Sequence, residues 1–90
     1  MVTAFVLISV KDKQFRETSD HLLQFRGITE LHLVAGEYDM VAVVRVADNH
    51  ELSHLITSHI IQAPGVERTK TLFALNTYSQ FDLSALFGVK

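Results

Sequence analysis

The chain has 90 residues, no cysteine and a formal net charge of −2. This length predicts one small domain, and the lack of cysteine excludes disulfides and thiolate metal sites. The weakly acidic balance argues against direct nucleic-acid binding by this chain. Apolar residues make up 48% of the sequence, which is high for so small a domain. Part of the apolar surface is therefore expected to be buried against a second subunit.

No segment has the pattern of a membrane span or a signal peptide. The apolar run at residues 4–8 is far shorter than the ~20 residues that cross a bilayer as a helix. No cationic segment precedes it, as one would in a signal peptide. The expectation is a soluble, cytoplasmic protein with no membrane partner.

The chain opens on a strand and a helix. Residues 2–10 (VTAFVLISV) predict a strand that is apolar on both faces, which is typical of a central strand. Residues 13–26 place apolar side chains at helical spacing. Asp12 is the expected N-cap of this helix, and Gly27 the glycine that ends it.

Two further strands follow, joined by a short polar connection. Residues 28–35 alternate in polarity, which predicts that Ile28 and His32 share one face. Residues 40–47 form a nearly continuous apolar strand. The connection, residues 36–39, predicts a hairpin whose glycine adopts a positive φ.

A second helix and a fourth strand complete the domain. Asp48 and Glu51 have the spacing of a capping box and predict where the helix begins. Pro64 and Gly65 predict where it ends. Residues 66–78 predict the last strand.

The predicted domain is residues 1–79, with residues 80–90 as a C-terminal extension. This extension carries many apolar side chains. We expect residues 82–87 to form a short helix or turn that packs on its own or a neighbouring subunit.

The element order β-α-β-β-α-β favours a ferredoxin-like α+β fold. Right-handed crossovers give a four-stranded antiparallel sheet with both helices on one face. The other sheet face also carries apolar residues, which predicts a face-to-face homodimer and further assembly into a tetramer or octamer.

Two segments resemble one protein family. Residues 33–40 (LVAGEYDM) resemble the hLVxGxxD segment of the Lrp/AsnC feast-famine regulators, and residues 64–71 (PGVERTKT) resemble their LPGVxxTxT segment. The resemblance covers residues 2–77 and identifies the effector-binding and oligomerisation (RAM) domain. It implies binding of a free amino acid in a cleft between subunits, and no catalysis.

Full-length members of that family carry a winged helix-turn-helix before this domain. This sequence opens directly on the first strand and so resembles the stand-alone members, for which direct operator binding is not expected. The resemblance implies that transcription of amino-acid metabolism is modulated through partners, among them full-length Lrp/AsnC regulators.

The candidate ligand contacts are residues of the hairpin connection, with hydroxyl side chains elsewhere as weaker candidates. An α-ammonium needs a carboxylate, for which Asp39 is the nearest candidate, and an α-carboxylate needs backbone N–H groups near Gly36. A solvated hairpin tip is the alternative interpretation. The full set is Gly36, Glu37, Tyr38, Asp39, Thr57, Ser58 and Thr71.

The histidines suggest other chemistries. His50 and His54 have a zinc-binding spacing, but no third ligand follows, so neither a metal nor another cofactor is predicted. A small dimeric α+β enzyme, monooxygenase- or isomerase-like, with His32 or His59 as base is the main alternative. A purely structural partner of full-length regulators is another. We expect His59 to be packed and His21 to be exposed.

Overall fold

The computed structural model describes residues 1–78 and residue 80. Four strands form one antiparallel sheet in the order β2-β3-β1-β4, which confirms the predicted ferredoxin-like α+β fold. The elements are β1 (Val2–Val10), α1 (Phe15–Leu22), β2 (Ile28–Leu33), β3 (Met40–Val46), α2 (Asn49–Leu55) and β4 (Val66–Phe73). A π-helical turn at Ile56–Ile60 continues α2.

The core lies between the sheet and the helices. Ala4, Val6 and Ile8 of β1 are fully buried and belong to the same cluster as Leu22 of α1 and Leu52 of α2. The alternating residues of β1 point to the other sheet face, which no helix of the described residues covers. The central position of β1 and its two apolar faces are therefore confirmed.

A bulge in β2 overturns the predicted face of Ile28. The pairing with β3 shifts between Ile28 and Glu30, so that Ile28 pairs with Val44 and is buried. His32 pairs with Val41 on the opposite, open face. Strict alternation fails here because a bulge inserts one extra residue into one strand.

The start of α1 also differs from the prediction. Asp12 is not an N-cap, since its φ is +53° and it lies in a tight 3₁₀ turn at Lys11–Lys13. Helix α1 begins at Phe15 after Gln14, which makes no side-chain capping bond, and it ends at Leu22. Gly27 therefore lies well past the helix. A Cβ there would be 2.8 Å from Val46 Cγ1, so close packing, not helix termination, requires this glycine.

The predicted cap of α2 is confirmed. Asp48 Oδ1 accepts a hydrogen bond from the Glu51 backbone N–H at 2.8 Å, and Glu51 Oε2 accepts one from the Ala47 N–H at 3.1 Å. These bonds satisfy donors that a helix start leaves free. Gly65 follows the helix with φ +83°, as expected of a glycine that reverses the chain direction.

Strand β4 ends at Phe73, shorter than predicted, and one further bond from Ala74 N–H to the Thr3 carbonyl extends its pairing. The predicted helix or turn at residues 82–87 lies outside the described residues. Within the described part of the chain, no helix combines the length and the hydropathy that a membrane crossing requires.

Candidate functional site

The connection between β2 and β3, residues 34–39, is fixed to the end of the central strand. Asp39 N–H donates to the Ile8 carbonyl at 2.9 Å, and Asp39 Oδ2 accepts from the Val10 N–H at 2.8 Å. Val34 N–H donates to the Asp39 carbonyl at 2.9 Å and closes the hairpin. One residue thus ties the connection to β1 with both its backbone and its side chain.

The tip of this connection is exposed and has a backbone conformation that favours glycine. Gly36 has φ +143°, and a Cβ at this position would meet no atom within 4 Å. Glycine is therefore required by the backbone conformation and not by space. Among residues 1–78 and 80, no acceptor is recorded for the backbone N–H groups of Gly36, Glu37 and Tyr38. Gly36 and Glu37 are exposed and Tyr38 is half-buried.

Tyr38 connects the loop to β4. The guanidinium carbon of Arg68 lies 5.3 Å from the centre of the half-buried Tyr38 ring, within the range of a cation–π contact. The sequence interpretation missed Arg68. No local pattern indicates this pairing, because only the β1–β4 register brings Arg68, which pairs with Ser9, to this end of the sheet.

The other predicted site residues lie elsewhere. Thr57 and Thr71 line a groove of about 750 Å³ that also includes Val2. Val2 lines the groove and Val10 is bonded to the loop, and these residues are the two ends of β1. At ~3.3 Å per residue they are separated by ~26 Å. The loop and this groove are therefore different places on one protomer.

Ser58 is separate from both places. Its Oγ lies 3.3 Å from His54 Nδ1, and it does not line the groove. The structure thus brings Gly36, Glu37, Tyr38 and Asp39 together, but it does not bring the three hydroxyl residues to them within one protomer.

Three of the five histidines form an aromatic cluster with Phe25. His59 stacks on Phe25 with ring centres 4.0 Å apart, which confirms that it is packed. His21 also contacts Phe25, edge-on at 5.5 Å, and is half-buried, so the prediction that it is exposed was wrong. His54 meets His59 edge-on. The described residues contain no group of three or more His, Cys, Asp or Glu side chains placed to hold a metal ion.

Comparison with known proteins identifies the family of this chain. Residues 3–83 match the family described as Lrp/AsnC ligand binding domain. The chain belongs to this family. Its definition as a ligand-binding domain, and the regulator names of its relatives, confirm the prediction that the chain is not an enzyme.

Curated relatives are regulators of about twice this length. The HTH-type transcriptional regulator FL11 of Pyrococcus abyssi is 35% identical over 77 residues, which cover 86% of this chain and 50% of that protein. The leucine-responsive regulatory protein of Haemophilus influenzae is 28% identical over 86 residues, 96% of this chain and 52% of that protein. The chain spans about half the length of the curated relatives it matches.

Solved structures share the fold. A protein from Thermus thermophilus has a TM-score of 0.82 and 38% identity, covering 89% of this chain and 100% of that chain. A feast or famine regulatory protein from M. tuberculosis, complexed with L-methionine, has a TM-score of 0.75 and 32% identity, covering 91% of this chain and 56% of that chain. An effector domain of transcriptional regulators is therefore the function class of this chain.

Proposed function

We propose that this chain senses a free amino acid and transmits that signal to transcription through partner proteins in the cytoplasm. One observation carries the proposal: the segment that resembles the family's LVxGxxD motif forms an anchored loop with three N–H groups that lack acceptors in the described residues. The L-methionine complex of the M. tuberculosis relative supports the choice of ligand class.

The loop offers complementary groups for a zwitterion. The N–H groups of Gly36, Glu37 and Tyr38 suit an α-carboxylate, because clustered backbone donors form anion-binding concavities. An α-ammonium suits a carboxylate at charge-assisted hydrogen-bond distance. Asp39 is held in place through Oδ2 by the Val10 N–H, which leaves its other oxygen for the ammonium.

The proposal includes a second subunit that covers the open sheet face. The open sheet face carries a row of apolar side chains in which Phe5 pairs with Val43 and Leu72, and Leu7 pairs with Val41. Phe5 is 37% and Leu72 45% exposed. A homodimer through this face buries them, and further assembly into a tetramer or octamer places the loop at a boundary between subunits.

The proposal rests on the four loop residues. Thr57, Ser58 and Thr71 join them only if a neighbouring subunit supplies them, because they are remote from the loop within one protomer. Full-length Lrp/AsnC regulators are the proposed receivers of the signal, and residues 1–79 the proposed unit of binding and assembly.

Calorimetric titration with each of the twenty common amino acids tests the proposal. At least one amino acid is expected to bind and to raise the melting temperature, since a ligand that binds only the native state stabilises it. Asp39→Ala should weaken that binding by about 1.5–3 kcal/mol, the worth of a hydrogen bond to a charged group.

The matched control is the double variant His50→Ala, His54→Ala, which should bind with unchanged affinity because both side chains are remote from the loop. If the histidine pair is needed and Asp39 is not, the loop is not the site. If no amino acid binds but the chain assembles with full-length regulators, a structural role in those assemblies replaces the sensing function.

A further inference from the structure

Arg68 of β4 lies beside the loop of the proposed amino-acid site. It pairs with Ser9 on β1, and Val10, the next residue of β1, donates a hydrogen bond to the Asp39 side chain. The guanidinium carbon of Arg68 is 5.3 Å from the centre of the Tyr38 ring. A permanently charged side chain therefore stands against one of the four loop residues on which the proposed site rests.

The contact with Tyr38 leaves the hydrogen-bond donors of Arg68 available. A guanidinium carries five N–H donors in a planar fork, and a cation–π contact requires none of them. Arg68 is exposed, and its guanidinium makes neither an ion pair nor a hydrogen bond with any of residues 1–78 and 80. Arg45 differs, because its Nη1 donates to the Thr29 hydroxyl at 2.7 Å. Arg68 can therefore donate to an acceptor on a bound molecule.

Two carboxylates near this place are bound by other donors. Glu67 Oε1 accepts a hydrogen bond from the Ser9 hydroxyl at 3.3 Å, and Asp39 Oδ2 accepts one from the Val10 N–H at 2.8 Å. Neither carboxylate forms an ion pair with Arg68. Each thus has a hydrogen-bond partner of its own, and neither occupies the guanidinium fork.

A second cation lies on the same face of β4. Lys70 pairs with Leu7 as Arg68 pairs with Ser9, and residues two positions apart on a strand point to the same side of the sheet. Lys70 is exposed and, within the described part of the chain, forms no ion pair either. Two positive charges on this part of β4 favour an anionic ligand group over a neutral or a cationic one.

We infer that Arg68 selects the side chain of the bound amino acid, and that the ligand class is the acidic amino acids, aspartate and glutamate. The inference rests on the proposed function, in which the loop N–H groups bind the α-carboxylate and Asp39 binds the α-ammonium. The ligand's side chain is then the group left for Arg68. A guanidinium fork binds a carboxylate through two parallel N–H···O bonds. Tyr38 is the positioning residue that holds the guanidinium at the loop.

Calorimetric titration of the full chain with glutamate, aspartate, glutamine and asparagine tests the inference, because each acid and its amide have nearly the same shape. At least one acid should bind about tenfold tighter than its amide, since a hydrogen bond to a charged group is stronger than one to a neutral group. Arg68→Ala should weaken binding of that acid about tenfold and change binding of the amide by less than about threefold. Arg68→Lys keeps the charge but not the fork, so its acid-to-amide ratio should be intermediate.

The matched control is Lys70→Ala, which removes a positive charge from the same face of β4 but no contact with Tyr38. It should change the acid-to-amide ratio by less than about threefold, because salt screens exposed charges that make no direct contact. Tyr38→Leu should lower the ratio, and Tyr38→Phe should restore it, because the cation–π contact needs the ring and not the hydroxyl. The ratio compares two ligands on one variant, so a loss of stability does not change it by itself.

Equal weakening of acid and amide by Arg68→Ala overturns the inference, because Arg68 then contacts a group that both ligands share. Equal loss of the ratio in Lys70→Ala and Arg68→Ala also overturns it, because the general charge of the strand then decides and not the fork. If a neutral amino acid such as methionine binds the unmodified chain more tightly than both acids, Arg68 is not the selector and the proposed function stands. If no amino acid binds, the proposed function fails and the inference fails with it.

Discussion

The side chain of Asp39 accepts a hydrogen bond from the backbone N–H of Val10 at 2.8 Å, 29 positions away in the sequence. A carboxylate oxygen thereby takes the place of a strand carbonyl at the end of β1. Asp39, the aspartate of the segment that resembles the family motif and the proposed ligand contact, is thus also a structural anchor of the loop. A change at Asp39 therefore affects both the position of the loop and its charge.

Asp39→Ala is expected to destabilise the fold as well as the ligand site. Removal of the acceptor leaves the Val10 N–H without a partner in a buried residue, at a cost of about 1–3 kcal/mol. Asp39→Asn keeps an acceptor oxygen and should cost less. Urea unfolding measures the difference in stability between the two variants. Glu37→Ala is the control, because the exposed Glu37 side chain makes no hydrogen bond with any of residues 1–78 and 80. A fully stable Asp39→Ala variant would show that the anchor is unimportant.

Gly36→Ala and Gly27→Ala should both lower the free energy of unfolding, for different reasons. At Gly36 the cause is φ +143°, with no steric neighbour, and backbone strain of this kind costs about 1–3 kcal/mol. At Gly27 the added Cβ lies 2.8 Å from Val46 Cγ1 and 3.1 Å from Leu55 Cδ2.

Unfolding of each variant in a Val46→Ala background separates the two causes. Truncation of Val46 makes room for a Cβ at position 27, so it should restore part of the stability that Gly27→Ala removes. It should restore none of the stability that Gly36→Ala removes. Equal recovery at both positions would contradict the assignment of strain to Gly36.

Thr18→Val should lower the free energy of unfolding, although valine has nearly the same side-chain shape as threonine. Thr18 is fully buried, and its hydroxyl donates to the Pro64 carbonyl at 2.6 Å, with the Gln14 carbonyl at 2.9 Å as the alternative acceptor. Loss of this donor should cost about 1–3 kcal/mol.

Thr57→Val is the matched control for Thr18→Val. Its exposed hydroxyl donates to the Ser53 carbonyl within the helix, so this change should stay within about 0.5 kcal/mol. Thermal unfolding compares the two variants. If both lose similar stability, burial of the Thr18 hydroxyl is not the cause of the loss.

Phe5→Asp should disrupt the proposed dimer and leave the protomer folded. The side chain lies on the open sheet face and is 37% exposed, so the charge is solvated in a free protomer but buried without a partner in a face-to-face dimer. Light scattering should report a particle near the protomer mass of 10.1 kDa.

Leu23→Asp is the control for Phe5→Asp, because Leu23 is 55% exposed beside α1 and away from the open face. It should leave the assembly unchanged. An unmodified chain that already scatters as a single protomer would contradict the proposed dimer itself.

Patterns in the sequence determined the element order, the central position of β1 and the cap at Asp48. Each of these depends on residues that are neighbours along the chain: alternating apolar side chains, or a carboxylate three residues before an N–H donor. The Gly36 turn belongs to the same class, since a positive φ is a local property of one residue.

Only the tertiary structure decided how these elements combine into sites. The bulge at Ile28 and the Asp39–Val10 bond depend on partners from other strands, and no local pattern indicates them. The turn at Asp12 is held by a bond from the Lys11 N–H to the carbonyl of Gly65, 54 positions away in the sequence. The same is true of the candidate ligand contacts. Gly36–Asp39 are contiguous and stay together. Thr71 pairs with Val6 at the middle of β1, and Thr57 lies in the turn after α2 and lines the same groove, so the strand register and the path of α2 separate both from the loop.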